Sequence, residues 1–306
     1  MRKHALWVTV AVAVVGAVAL AVPLKGQITA IPIPFDAGQN IAPVFEGWEA
    51  NPDGTFSMVF GYLNRNYKEE PEIPIGQDNS IEPGGPDQGQ PTHFYPRRQQ
   101  FMFKVRVPAD FGKKEIAWTL TRNGRTDKAI GSLVMEYELS ALVLSENRGG
   151  GGTDGVTMKP NKAPTVTINA PAQQTVAVGT GLMLTASASD DGIPEPRPAA
   201  APSTRKPDAP PPALVTVRSA SPKSQQVIKP NREGLAVTWT HYRGPGKASF
   251  DPMSALVKDG KATTKVSFSH PGKHQIRAYA DDGILLSTAD VTITVTGSPS
   301  TSSNQP

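Results

Sequence analysis

The sequence predicts an all-β chain in which two β-sandwich domains are joined by a Gly-rich linker and preceded by an N-terminal hydrophobic helix. Three observations predict it. Apolar and polar residues alternate over short runs, the period of a half-buried strand. These runs fall in two blocks, 41–144 and 163–297, separated by a segment carrying Gly149, Gly150, Gly151, Gly152 and Gly155. Glycine (28) and proline (30) make up 58 of 306 residues, well above average usage, so loops and turns are frequent. Hydrophobic residues amount to 38%, which disfavours a compact, fully helical enzyme.

The elements follow in order. Arg2, Lys3 and His4 precede an apolar run from Ala5 to Val22, with small residues at Ala19 and Ala21 before Pro23. That is the pattern of an export signal. Residues 1–27 therefore read as a signal peptide or, if uncleaved, as a membrane tether through residues 5–22. A buried core helix is the bland alternative. Both main readings place the chain from Gln27 onward outside the cytoplasm: periplasmic, at the cell surface or secreted. Residues 28–40 form an extended lead.

In the first block, Asn51-Pro52-Asp53-Gly54 is a turn signal. Phe56, Met58, Phe60 and Tyr62 then alternate along a strand, as do Phe101, Phe103, Val105 and Val107, and Ile116, Trp118 and Leu120. Asn123-Gly124 marks a two-residue hairpin turn, with a return strand near Lys128–Tyr137. Between the strands lies a long loop, 65–98, with six acids (Glu69, Glu70, Glu72, Asp78, Glu82, Asp87). It reads as a ligand or calcium loop or, more simply, as a solvated excursion. The linker spans 145–162.

The second block opens with Ala163–Ile168 and continues through Gly181–Asp190, Leu235–Trp239 with an inward tryptophan, Lys265–Phe268, Gln275–Ala280 and Ala289–Val295. Short strands spaced by turn signals argue for an immunoglobulin-like sandwich. The tail 298–306 is polar. The order APTVTI, LTASASDDGIP, LAVTWTHYRGPGKASF, KATTKVSFSHPGKHQIRAYADDG and ADVTITVTG resembles the PKD-type immunoglobulin-like domains of bacterial surface and secreted proteins. That resemblance implies a seven-strand sandwich without catalytic machinery, serving as a spacer or binding module. The first block, through GWEANPDGTFSMVFGYLNRN and QPTHFYPRRQQFMFKVRVP, looks similar to uncharacterised exported bacterial proteins, a likeness that carries no activity.

The chain departs from the PKD pattern by an insertion at 193–234. It holds ten prolines and seven basic residues against three acidic ones, so its net charge equals the +4 of the whole chain. It reads as a basic arm for an anionic partner or as a tolerated surface loop. Nucleic acid is not an expected partner, because the arm lacks interleaved aromatics. The motif DDGI occurs twice, at Asp190-Asp191 and Asp281-Asp282. In the resembled fold both loops lie at one end of the sandwich, where four carboxylates would suit calcium. The alternative is that Asp and Gly simply form turns.

The chain has no cysteine, which excludes disulfides, thiolate metal sites and cysteine nucleophiles. No H-E-x-x-H, G-x-S-x-G, P-loop or dinucleotide pattern occurs. His270 and His274 lie across a Pro-Gly turn and suggest no zinc site. Glu46, Glu49 and Asp53 lie near Trp48 and superficially suit a glycosidase, although acids near a strand end are common. Trp48, Tyr67, His93, Arg97 and Arg98 mix aromatic, imidazole and guanidinium groups, as sugar or peptide recognition requires. The expected function is a non-catalytic, cell-envelope binding or structural module whose partner is an envelope polysaccharide or protein. A carbohydrate-binding accessory protein is the alternative, and a secreted hydrolase the distant one.

Overall fold

The computed structural model describes residues 35–140, 143–144, 147, 161–171, 174–196, 225–231 and 233–297. The leader, nearly all of the 145–162 linker, most of the 193–234 insertion and the tail lie outside the described residues. Among the described residues no helix is long and apolar enough to cross a membrane.

Six strands build the first half: β1 (Ile41–Ala50), β2 (Phe56–Asn64), β3 (Asn79–Glu82), β4 (Arg97–Val107), β5 (Glu115–Arg122) and β6 (Arg125–Ser132). They form two three-stranded sheets in the orders β1-β2-β4 and β3-β5-β6. Both sheets contribute to one core. Phe60 and Phe103 stack at 5.5 Å, and Trp118 meets Phe103 edge-on at 4.9 Å, a favoured aromatic geometry. The hairpin forms where Asn123-Gly124 demands it: both residues take positive φ (52° and 73°), and Arg122 pairs with Arg125. The return strand stops at Ser132 rather than reaching Tyr137, because Met135–Tyr137 turn into a short 3-10 helix.

Alternation predicted one buried face for β2, yet Ser57, Val59 and Gly61 are buried as well. Val59 packs in a separate cluster with Leu139, Leu144 and Ile284, which cover the outer face. The 65–98 loop is not a solvated excursion. It contains β3 and buries Ile73, Ile81, Phe94 and Tyr95. Asn79 anchors it, donating to the Ile73 and Pro91 carbonyls (2.9 and 2.8 Å) and accepting from the Trp118 indole (3.0 Å).

Nine strands build the second half, two more than the resemblance implied: β7 (Thr165–Ile168), β8 (Gln174–Ala177), β9 (Leu182–Ser189), β10 (Ala236–Arg243), β11 (Ala248–Asp251), β12 (Ser254–Leu256), β13 (Lys261–Phe268), β14 (Gly272–Asp281) and β15 (Leu286–Thr296). The sheets run β7-β9-β13-β11 and β8-β15-β14-β10-β12. Leu184, Ala186, Val266, Phe268, Trp239 and Ile276 fill the space between them. Trp239 is fully buried, as its strand pattern required. In chain order these sheets reproduce the A-B-E-D and C-F-G arrangement of an immunoglobulin-type sandwich. The first half repeats it with fewer strands, as A-B-E and C-F-G.

Candidate functional site

The two halves meet through β10 and β14, and the meeting is buried and polar. Past Trp239, β10 continues as Thr240-His241-Tyr242-Arg243. The Tyr242 carbonyl accepts the N–H groups of Thr92 and His93 (3.1 and 3.3 Å). Its hydroxyl donates to the Gly89 carbonyl, and Arg243 forks onto Asp87 at 2.8 and 3.0 Å. Tyr279 donates to the Met102 carbonyl (2.8 Å), and the Tyr95 hydroxyl accepts the His241 N–H (2.8 Å). The Arg277 guanidinium lies 3.6 Å above the Tyr242 ring and pairs with Asp290 at 2.7 Å. Burial pushes the Tyr279 hydroxyl up to about 12 and those of Tyr95 and Tyr242 higher still, so all three stay protonated. Tyrosine suits this boundary because its ring joins the apolar core while its hydroxyl finds a partner. The insertion takes part too. Gln99 donates to the Gln225 carbonyl and accepts from the Val227 N–H, and Ile228 enters the first-half core.

Within the junction three histidines stack. His93 and His241 lie 4.6 Å apart by ring centroid, and His241 and His274 5.1 Å. All three are buried. The His274 Nε2–H donates to the His270 carbonyl (3.0 Å). Its Nδ1 must therefore accept, and the donor is His241 Nε2 at 3.1 Å. His93 Nε2 faces the Glu70 carboxylate at 3.2 Å. The Nδ1 atoms of His93 and His241 are buried with no hydrogen-bond partner. Burial, reinforced by the neighbouring histidines, pulls His241 down to about 2, and burial lowers His274 as well. Burial alone would raise Glu70, but the His93 hydrogen bond and the nearby Lys247 hold it below the usual carboxylate range.

Sequence reasoning missed this stack. A signal existed for one member: His241 lies two residues after the inward Trp239, hence on the same face of β10. His93 gave none, because its neighbour in space is 148 positions away in the chain.

The DDG loops converge in part. Asp191 is consumed by the Ile193 and Lys162 N–H groups (3.0 and 3.1 Å), and Asp281 accepts from the Gly283 N–H (2.7 Å). Asp282 Oδ1 accepts from Ile284 and Leu285 at 2.7 Å each. That leaves Asp190 Oδ1 buried without a partner, while Asp282 Oδ2 faces the Asn161 amide, whose pull offsets part of its burial. Burial raises both carboxyls; the charge of Asp191 adds to the effect at Asp190, and that of Asp190 adds to it at Asp282. Among the described residues no group of three or more His, Asp or Glu side chains is placed to hold a metal ion.

The expected ligand residues do not form one surface. Trp48 packs edge-on against Phe56 and donates to the Val134 carbonyl (2.7 Å). Tyr67 follows the end of β2 that pairs with Ile41, whereas Trp48 pairs with Met58 near the other end of that strand. The Arg97 guanidinium covers the Tyr67 ring at 4.2 Å. Arg98 pairs with Glu46 (2.7 Å), and His93 is only 2% exposed in the junction. Asp53 pairs with Arg106 and caps its own turn through Thr55.

No family model and no curated protein matches the chain. Among solved structures, the D00-D0 domain of intimin aligns over 83% of this chain and 99% of its own, at 12% identity and a TM-score of 0.24. Domains 4 and 5 of the S-layer protein SbsC align over 85% and 98%, at 10% identity and 0.22. The N-terminal eight Ig domains of the Down syndrome cell adhesion molecule align over 84% and 28%, at 9% identity and 0.23. The immunoglobulin-type assignment rests on the strand order above.

Proposed function

We propose that this chain is a non-catalytic interaction module of the cell envelope, with two immunoglobulin-type sandwiches, the second PKD-like, held in fixed register by their junction. The observation that carries this reading is the buried junction itself. Fixing two sandwiches through paired tyrosines, arginines and backbone groups serves presentation of a surface rather than turnover. Of the groups that suggested hydrolysis, Glu46 and Asp53 are engaged by Arg98 and Arg106. The half-exposed Arg97–Tyr67 pair is the surface best suited to stack on a sugar or peptide ring. The test is retention of the purified chain on insoluble envelope polysaccharide at low salt and at about 1 M salt. Retention that survives salt and falls at least tenfold in Tyr67→Ala supports ring stacking. Salt-sensitive retention assigns binding to the basic insertion instead. No retention on polysaccharide and no protein partner captured from envelope extract overturns the reading.

A second reading concerns calcium. The oxygens of Asp190, Asp282 and Asn161 are acceptors of the kind calcium takes. Calorimetry with calcium against a chelator tests it, and heat absent at millimolar calcium overturns it.

A further inference from the structure

The histidine stack has a property that the interaction-module reading does not use. It holds His241 and His274 buried, bonded to each other, with no carboxylate beside either ring to balance an added charge. His274 spends its one N–H on the His270 carbonyl and its lone pair on His241. A proton added to His274 Nδ1 would face the His241 N–H. A proton added to His241 Nδ1 would enter a buried position with no partner; the Arg243 backbone is the one neighbour that favours the charged form there. His93 Nδ1 is likewise buried without a hydrogen-bond partner. Each additional charge would also lie about a ring stack, 4.6–5.1 Å, from the next imidazole.

The surrounding charges are unevenly placed. Glu70 faces His93, and Lys247 lies 3.9 Å from the other oxygen of Glu70. Glu72 bridges to His93 along the backbone and is raised by its own burial. His270 is exposed, bonded to the Ser269 hydroxyl (2.9 Å). Tyr95 lies edge-on to His93 at 5.0 Å, and Phe268 packs on His274 at 4.6 Å. Among the described residues, no carboxylate pairs with His241 or His274. The stack also crosses the junction: His93 belongs to the first half, whereas His241 and His274 belong to β10 and β14.

We propose that the His241–His274 pair, packed against His93 across the junction, is an acid-sensitive latch, closing the junction when these two rings are neutral and releasing the two halves from each other when they are protonated. Opening lets His241 and His274 reach water and regain their ordinary affinity for protons. Each therefore shifts the balance toward the open form by about tenfold per pH unit below roughly 6.5, down to the pKa it has when closed.

The absence of cysteine makes the test direct. Lys128→Cys and Lys258→Cys, both at exposed positions of different halves, give two unique labels on the full chain. Distance distributions and far-ultraviolet circular dichroism are recorded from about pH 7.5 to 4.5. The expected result is a longer-distance population that grows with acid while the strand signal persists. It should need stronger acid and rise less steeply in His241→Phe and in His241→Gln, where His274 alone remains to be protonated, the latter keeping an N–H for His274. Unchanged distances with a folded spectrum overturn the latch. So does loss of strand signal at the same midpoint, which would mean that acid unfolds a half. A response in both variants as steep as that of the unsubstituted chain overturns the role of His241. Polysaccharide retention at neutral pH is measured separately, so failure of the latch and failure of the binding reading remain distinguishable.

Discussion

The two ends of the second sandwich handle buried polar groups in opposite ways. At the end carrying His241 and His274, Arg243 and the Tyr242 carbonyl are paired with the first half, and His241 and His274 bond each other. At the other end, Asp190 keeps a buried carboxylate oxygen with no donor, and burial raises both Asp190 and Asp282. Acid therefore acts in opposite directions. A histidine whose folded pKa is depressed costs stability as pH falls below about 6.5. A carboxyl whose folded pKa is raised costs stability as pH rises above its ordinary value. One end is built for closure between halves, and the other is left electrostatically open.

Breaking the closed end outright should give the largest effect. Tyr242→Ala removes a fully buried ring, its bond to Gly89 and the platform beneath Arg277, so chemical denaturation should show a loss of about 3–5 kcal/mol. Acid should come next. Between pH 6.5 and 4.5 the His241 shift alone corresponds to about 2–3 kcal/mol of lost stability, and His241→Phe should flatten that slope. A gentler probe is Tyr279→Phe, which keeps the ring and leaves the buried Met102 carbonyl short of a donor. A loss of about 1–2 kcal/mol in urea melts is expected. At the open end the sign reverses. Asp282→Asn keeps the acceptor for Ile284 and Leu285 while removing the charge, so without calcium the melting temperature at pH 7 should hold or rise slightly. A fall there would show that the carboxylate is already compensated, and the contrast between the ends would fail.

Much of the strand content was legible because it depends on local pattern. The Asn123-Gly124 hairpin, the Phe56–Tyr62 strand and the inward Trp239 each follow from side-chain period or a turn that tolerates positive φ. The 65–98 loop was misjudged because its proline and glycine content describes the backbone's local preference. It does not describe the fate of Asn79, whose side chain ties the loop to Trp118 from the opposite sheet. β2 looked half-exposed because its second face is covered by Leu139, Leu144 and Ile284, two of which follow the first sandwich and one of which lies in the other half. Of the expected ligand residues, Tyr67 and Arg97 do meet, while His93 is drawn into the junction by a strand far along the chain.

By itself the sequence determined what neighbours in the chain can settle: an all-β composition, the turns and the inward tryptophan. Strand period and turn chemistry act over a few residues, so they survive without knowledge of the fold. Only the tertiary structure decided that the blocks share a buried boundary, that Asp190 keeps an unpaired buried oxygen, and that three histidines stack. Those outcomes depend on which distant groups share a space from which water is excluded. There the cost of an unpaired polar atom or an extra charge becomes large enough to matter.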